Sequence, residues 1–195
     1  MLYFTNLSKS FCILLLILSV NSILAGELYE FAYVFLVNHK VPENHAKLMA
    51  KALEEEAEIV PKSVDPLYML AFGLSETNFR NIFGDQGKAV GYFQLHENAV
   101  FYVANFYDDV KQFKQQHRNH VELINHPDWQ LRIAYRYIYL TLRYVFDWDL
   151  ARAISAYNGR SDKYNVYTIK FFHYYTKIIS EYVAFLNSKK SNSSK

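Results

Sequence analysis

Residues 65–96 read DPLYMLAFGLSETNFRNIFGDQGKAVGYFQLH. Asp65 serves as a cap and Pro66 as the first helical position. Leu67, Leu70, Ala71 and Leu74 then fall on one stripe, with Met69, Phe72 and Phe79 opposite and Tyr68 flanking. A helix that is apolar nearly all round belongs in the middle of a domain. One carboxylate, Glu76, sits in its last turn on the side of Met69 and Phe72. A turn-rich loop over 80–91 follows, and then Gly-Tyr-Phe-Gln. Four of the chain's six glycines lie between Gly73 and Gly91, beside that acid. Burial and the negative end of the helix dipole both raise a carboxyl's pKa. A carboxyl still protonated near neutral pH suits a general acid. The competing reading is a surface glutamate at a fraying helix end, followed by an ordinary surface loop.

Outward from this stretch the pattern stays helical. ELYEFAYVFLVNH (27–39) and PENHAKLMAKALEEEAEIV (42–60) precede it. YFQLHENAVFYVANFY (92–107) and an exposed DDVKQFKQQHR (108–118) follow. HPDWQLRIAYRYIYLTLRYVF (126–146), DWDLARAISAYN (147–158, stopped by Gly159) and YTIKFFHYYTKIISEYVAFL (167–186) complete the set. No alternating strand of useful length, repeat or linker interrupts them. The expectation is an all-α domain, or α with a minor β element, of about seven helices.

Residues 1–25 carry Lys9, an apolar run FCILLLILSV and a small residue at Ala25, the layout of a secretory signal peptide. The alternative is an uncleaved anchor over 11–25, since Ile23 is large for its place before the cut; only then is membrane association expected. Residues 26–187 are read as one domain and 188–195 as a disordered polar tail. The only cysteine, Cys12, falls in the leader, so the expected mature chain has neither disulfide nor thiol nucleophile. A formal net charge of +2 gives no sign of a nucleic-acid partner. HENAV lacks the second histidine of a zinc helix, and His117 with His120 has no partner cluster. No phosphate loop or Gly-x-Ser-x-Gly turn is present, so no cofactor and no metal are expected.

Two separated motifs carry a family resemblance. Glu76, Phe79 and Gly91-Tyr92-Phe93-Gln94 resemble the acid, aromatic and Gly-Leu-Met-Gln elements of lysozyme-like lytic transglycosylases, the soluble lytic transglycosylase domain. Ala156-Tyr157-Asn158-Gly159 resembles that family's second signature, and 126–145 resembles the helix before it. The resemblance spans roughly residues 60–160. Departures are Thr77 for the usual serine, Tyr92-Phe93 for Leu-Met, and His96 near a usual proline. The loop Gly84-Asp85-Gln86-Gly87 is closer to goose-type lysozymes.

The resemblance implies a compact lysozyme-like helical domain with a substrate groove, acting in the periplasm or outside the cell on peptidoglycan glycan strands. Glu76 would protonate the bridging oxygen of the β-1,4 bond between N-acetylmuramic acid and N-acetylglucosamine. It would then take the proton of the muramoyl C6 hydroxyl, giving a 1,6-anhydro end. Tyr157 would lie against Glu76, its hydroxyl helping to hold the acid. Thr77, Gly91, Tyr92, Phe93 and Gln94 would line the substrate site, Gln94 bonding sugar or loop backbone. Asn158 would cap its helix or bond substrate. Asp85 would either cap its loop through backbone N–H groups or hold a water. The latter would make the protein a hydrolytic muramidase with two carboxylates. A reading of another class is a catalytically silent peptidoglycan-binding module.

Overall fold

A computed structural model describes residues 26–117 and 119–193. The leader expected over 1–25, Cys12 included, lies outside the described residues. Glu27–Asn38 (α1) and Glu43–Ile59 (α2) pack on one another. Leu67–Glu76 (α3) follows, and eight of its ten residues are buried. Burial of each large side chain among them contributes about 1.5–3 kcal/mol. The helix starts one residue later than expected, with Pro66 in the cap position, and Asp65 accepts the Leu67 N–H at 2.8 Å.

Beyond α3 come Phe83–Gly84 (β1), a 3-10 turn at Asp85–Gly87, Ala89–Val90 (β2) and Leu95–His96 (β3). The strands form an antiparallel sheet ordered β1-β2-β3, with Phe83 opposite Val90 and Val90 opposite Leu95. Glu97–Ala104 (α4), Asp108–Gln116 (α5), a 3-10 stretch at His120–Asn125, Pro127–Tyr144 (α6), Leu150–Tyr157 (α7) and Val166–Ser193 (α8) complete the fold. The described residues are mostly helical, with one small sheet among them. Helix α3 packs chiefly against α8, and α2 against α6, so the core gathers around α3 and α6. No described helix is long and apolar enough to cross a membrane.

Four local expectations change. The loop over 80–91 contains β1 and β2, strands too short for alternation to reveal. The next helix starts at Glu97 rather than near Tyr92, because Gln94 is left-handed (φ 48) and Leu95–His96 joins the sheet. Helix α5 is not wholly exposed: Val110 and Phe113 turn into the core. Finally, α8 stays helical through 188–193, where a disordered tail was expected, and Lys189 pairs with Glu30 of α1.

Candidate functional site

Helix α3 ends against a backbone reversal. Asn78 and Phe79 are both left-handed (φ 53 and 55), and the Phe79 N–H returns to the Gly73 carbonyl at 3.1 Å. This reversal lays the Phe79 ring on Gly73, where an added Cβ would stand 2.2 Å from a ring carbon. Gly91 has a similar reason for being glycine. Its φ is +79, and a Cβ there would stand 2.0 Å from the Gln130 amide oxygen. At Gly73 and Gly91, then, buried side chains press against the backbone and leave no room for a Cβ.

Glu76 is half-buried at the end of α3. One turn earlier on the same face, the Phe72 ring meets Tyr157 at 4.5 Å and Phe171 at 4.6 Å. The Tyr167 hydroxyl, from the first turn of α8, donates to Glu76 Oε1. Lys170, one turn further along α8, donates from Nζ to the Ser75 carbonyl at 3.0 Å. Burial pushes the Glu76 carboxyl up to about 7, against the opposing pull of the Tyr167 hydrogen bond and the Lys170 charge. Burial also pushes the Tyr157 and Tyr167 phenols well above their ordinary value, with the nearby Glu76 adding to the shift. The arrangement can hold a proton near neutral pH and release it to a basic group.

The expected site residues divide sharply. Tyr157 does lie in the electrostatic field of Glu76, but its hydroxyl donates to the Phe93 carbonyl at 2.7 Å. Tyr167 holds the acid instead. Thr77 is buried and donates to the Tyr92 carbonyl at 3.0 Å, tying the end of α3 to Gly91–Gln94 rather than facing a substrate. Tyr92 and Phe93, expected to offer faces to a sugar, are 1% and 0% exposed. They pack into the core, and the Tyr92 hydroxyl meets His45 Nδ1 at 2.9 Å. Gln94 bonds loop backbone, donating to Ile82 O at 3.1 Å and Gly91 O at 2.8 Å.

Asn158 is exposed and caps the C-terminal end of α7 through its backbone N–H, while its side chain accepts from Arg160 Nε at 3.3 Å. Asp85 is also exposed. Its carboxylate makes no hydrogen bond to the loop N–H groups among the described residues, so it does not cap the loop as expected. His96 Nε2 lies 4.0 Å from it.

Besides Lys170, neither Tyr167 beside the acid nor Gln130 behind Gly91–Tyr92 stands out in the sequence. Tyr167 is one of 17 tyrosines and lies outside both motifs. Gln130 is fully buried and satisfied: its Oε1 accepts the Tyr92 N–H at 2.8 Å, and its Nε2 donates to Asn81 Oδ1 at 3.1 Å and Leu123 O at 2.6 Å. The motifs carried no signal for either. A surface hollow lined by Glu97, Phe113, Lys114, His117 and His120 includes none of the residues around Glu76. No group of three or more His, Cys, Asp or Glu gathers to hold a metal ion among the described residues.

Comparison with known proteins returns no matching family model, no similar curated protein and no matching solved structure.

Proposed function

We propose that the chain is a peptidoglycan lytic transglycosylase of lysozyme-like type, working in the cell envelope with Glu76 as acid and then base. One observation carries the reading: a carboxyl at the end of a buried helix, raised to about 7 by burial and gripped by a neutral phenol. The two motif resemblances supply the substrate class. Glu76 donates its proton to the bridging oxygen as the bond from the muramoyl C1 breaks, releasing the N-acetylglucosamine 4-hydroxyl. The resulting carboxylate takes the proton of the muramoyl C6 hydroxyl as that oxygen closes onto C1. No water is consumed, and Glu76 ends protonated. Tyr167 supports both states, since its hydroxyl can donate to the carboxyl oxygen before and after ionisation.

A second reading is favoured by the exposed Asp85, whose carboxylate is not occupied by its own loop. A water held there would attack C1 and make the enzyme a muramidase.

Glu76→Gln is expected to reduce muropeptide release from purified sacculi by about 100-fold or more while sacculus binding persists. Turnover at the wild-type rate removes Glu76 from its role. Product mass separates the two catalytic readings: an anhydro end lacks one water, and Asp85→Asn spares its formation. Binding without any cleavage by the wild-type chain favours a binding module.

A further inference from the structure

We propose that Lys170 is a positioning residue for Glu76: its ammonium, seated on the carbonyl just before the acid, makes the carboxylate accessible once the proton has been given up. The inference rests on reading Glu76 as the proton donor and deepens that reading.

The geometry begins on α8. Tyr167 and Lys170 are three residues apart and share one helix face. Tyr167 grips the Glu76 carboxyl while Lys170 grips the Ser75 carbonyl at 3.0 Å. One face of α8 thus holds two consecutive residues of α3. The last turn of α3 has no basic residue of its own. The negative end of its dipole opposes a carboxylate there. Cations from outside the helix offset this: Lys170 on Ser75, and Arg80, whose Nε donates to the Thr77 carbonyl at 3.0 Å.

The groups that act on Glu76 are therefore Tyr157 from α7 and Tyr167 and Lys170 from α8. Both phenols are neutral, so they donate hydrogen bonds but supply no charge. Lys170 is the cation whose attraction bears on the carboxyl, pulling against the upward push of burial. A residue that acts as acid and then as base must change state twice in each turnover. Burial alone would hold the proton too tightly for ready donation.

Removing the cation has a definite sign. A nearby positive charge favours the carboxylate, so Lys170→Met raises the Glu76 titration midpoint, by about half a unit or more given partial screening of an exposed lysine. Protonated Glu76 then persists to higher pH, and the alkaline limb of the pH–rate profile on sacculi moves up equally. Lys170→Arg retains the charge and restores both values.

The decisive measurement is the NMR titration of the Glu76 carboxyl carbon, assigned through Glu76→Gln. It needs no substrate, so it decides the role of Lys170 even if the chain fails to cut peptidoglycan. An unchanged midpoint in Lys170→Met overturns the proposal, as does a Lys170→Arg midpoint displaced as far as that of Lys170→Met. Should Lys170→Met not fold, the wild-type midpoint at low and high salt gives the same test. A midpoint that rises as salt screens the ammonium supports the proposal, and a constant one overturns it.

Discussion

Two glutamates, both drawn out of water, sit in opposite electrostatic company. Glu56 of α2 is fully buried. Its oxygens accept Arg136 Nε and Nη2, both at 2.7 Å, and Arg132 Nη1 at 3.0 Å. Arg136 also holds Asp109 from Nη1 at 2.6 and 2.8 Å and lies 4.4 Å from the Tyr107 ring centroid. Burial pulls the Arg136 pKa down, yet the hydrogen bonds from Glu56 and Asp109 more than reverse it, leaving the guanidinium more firmly charged than usual. Glu76 is held by a neutral phenol, with its cation one residue away on a backbone carbonyl. Burial without a directly bonded cation leaves the Glu76 carboxyl able to keep its proton, whereas Glu56 is bonded to two guanidinium groups. Partner charge, more than depth, separates a clamp from a proton donor.

The most severe break of this contrast is at the clamp. Arg136→Met leaves the buried Glu56 with Arg132 alone and takes the guanidinium from Asp109, and is expected to cost about 3 kcal/mol in urea unfolding. Glu56→Leu with Arg136→Met, which removes the buried charges from both sides, recovers much of that. A single-variant loss below about 1 kcal/mol would mean that α2 and α6 are joined by apolar packing alone.

A medium effect sharpens the donor side. The Glu76 carboxyl titrates at about 7 when folded against an ordinary value of 4.5. Its protonated form therefore contributes stability that is full below 4.5 and is lost as pH rises through 7. Wild type should lose stability relative to Glu76→Gln between about pH 5 and 8, by about 2–3 kcal/mol after discounting for partial exposure. Denaturation midpoints of the two proteins across that range provide the check. A constant difference would mean that Glu76 is ionised throughout that range.

The smallest effect concerns the tie between acid and loop. Thr77→Val removes the bond to the Tyr92 carbonyl and should cost about 1–2 kcal/mol. Amide exchange should quicken around Gly91–Gln94, while the Glu56 clamp keeps its protection.

Much of the fold was legible beforehand. Apolar spacing marked α3, and Asp65 with Pro66 marked its start. The face carrying Phe72 and Glu76 does turn into the protein, which placed the acid among apolar neighbours. The site was legible only in part. Glu76 drew notice as a charge at the edge of an apolar face, but Tyr92 and Phe93 were assigned to a surface they do not reach. Aromatic rings follow the same patterns whether they stack in a core or face solvent, so only burial separates the two. The small sheet stayed hidden because two-residue strands are defined by their pairing and leave no period in the sequence.

The sequence by itself determined the helices, their apolar faces and the isolated acid at the end of α3, because these depend on neighbours a few residues away. Only the tertiary structure decided which tyrosine holds that acid, which lysine faces its helix end and which arginines clamp Glu56. Tyr167 and Lys170 lie some 90 residues beyond the acid they serve. Their selection from so many tyrosines and lysines is made by the packing of α8 on α3, and no local pattern encodes that choice.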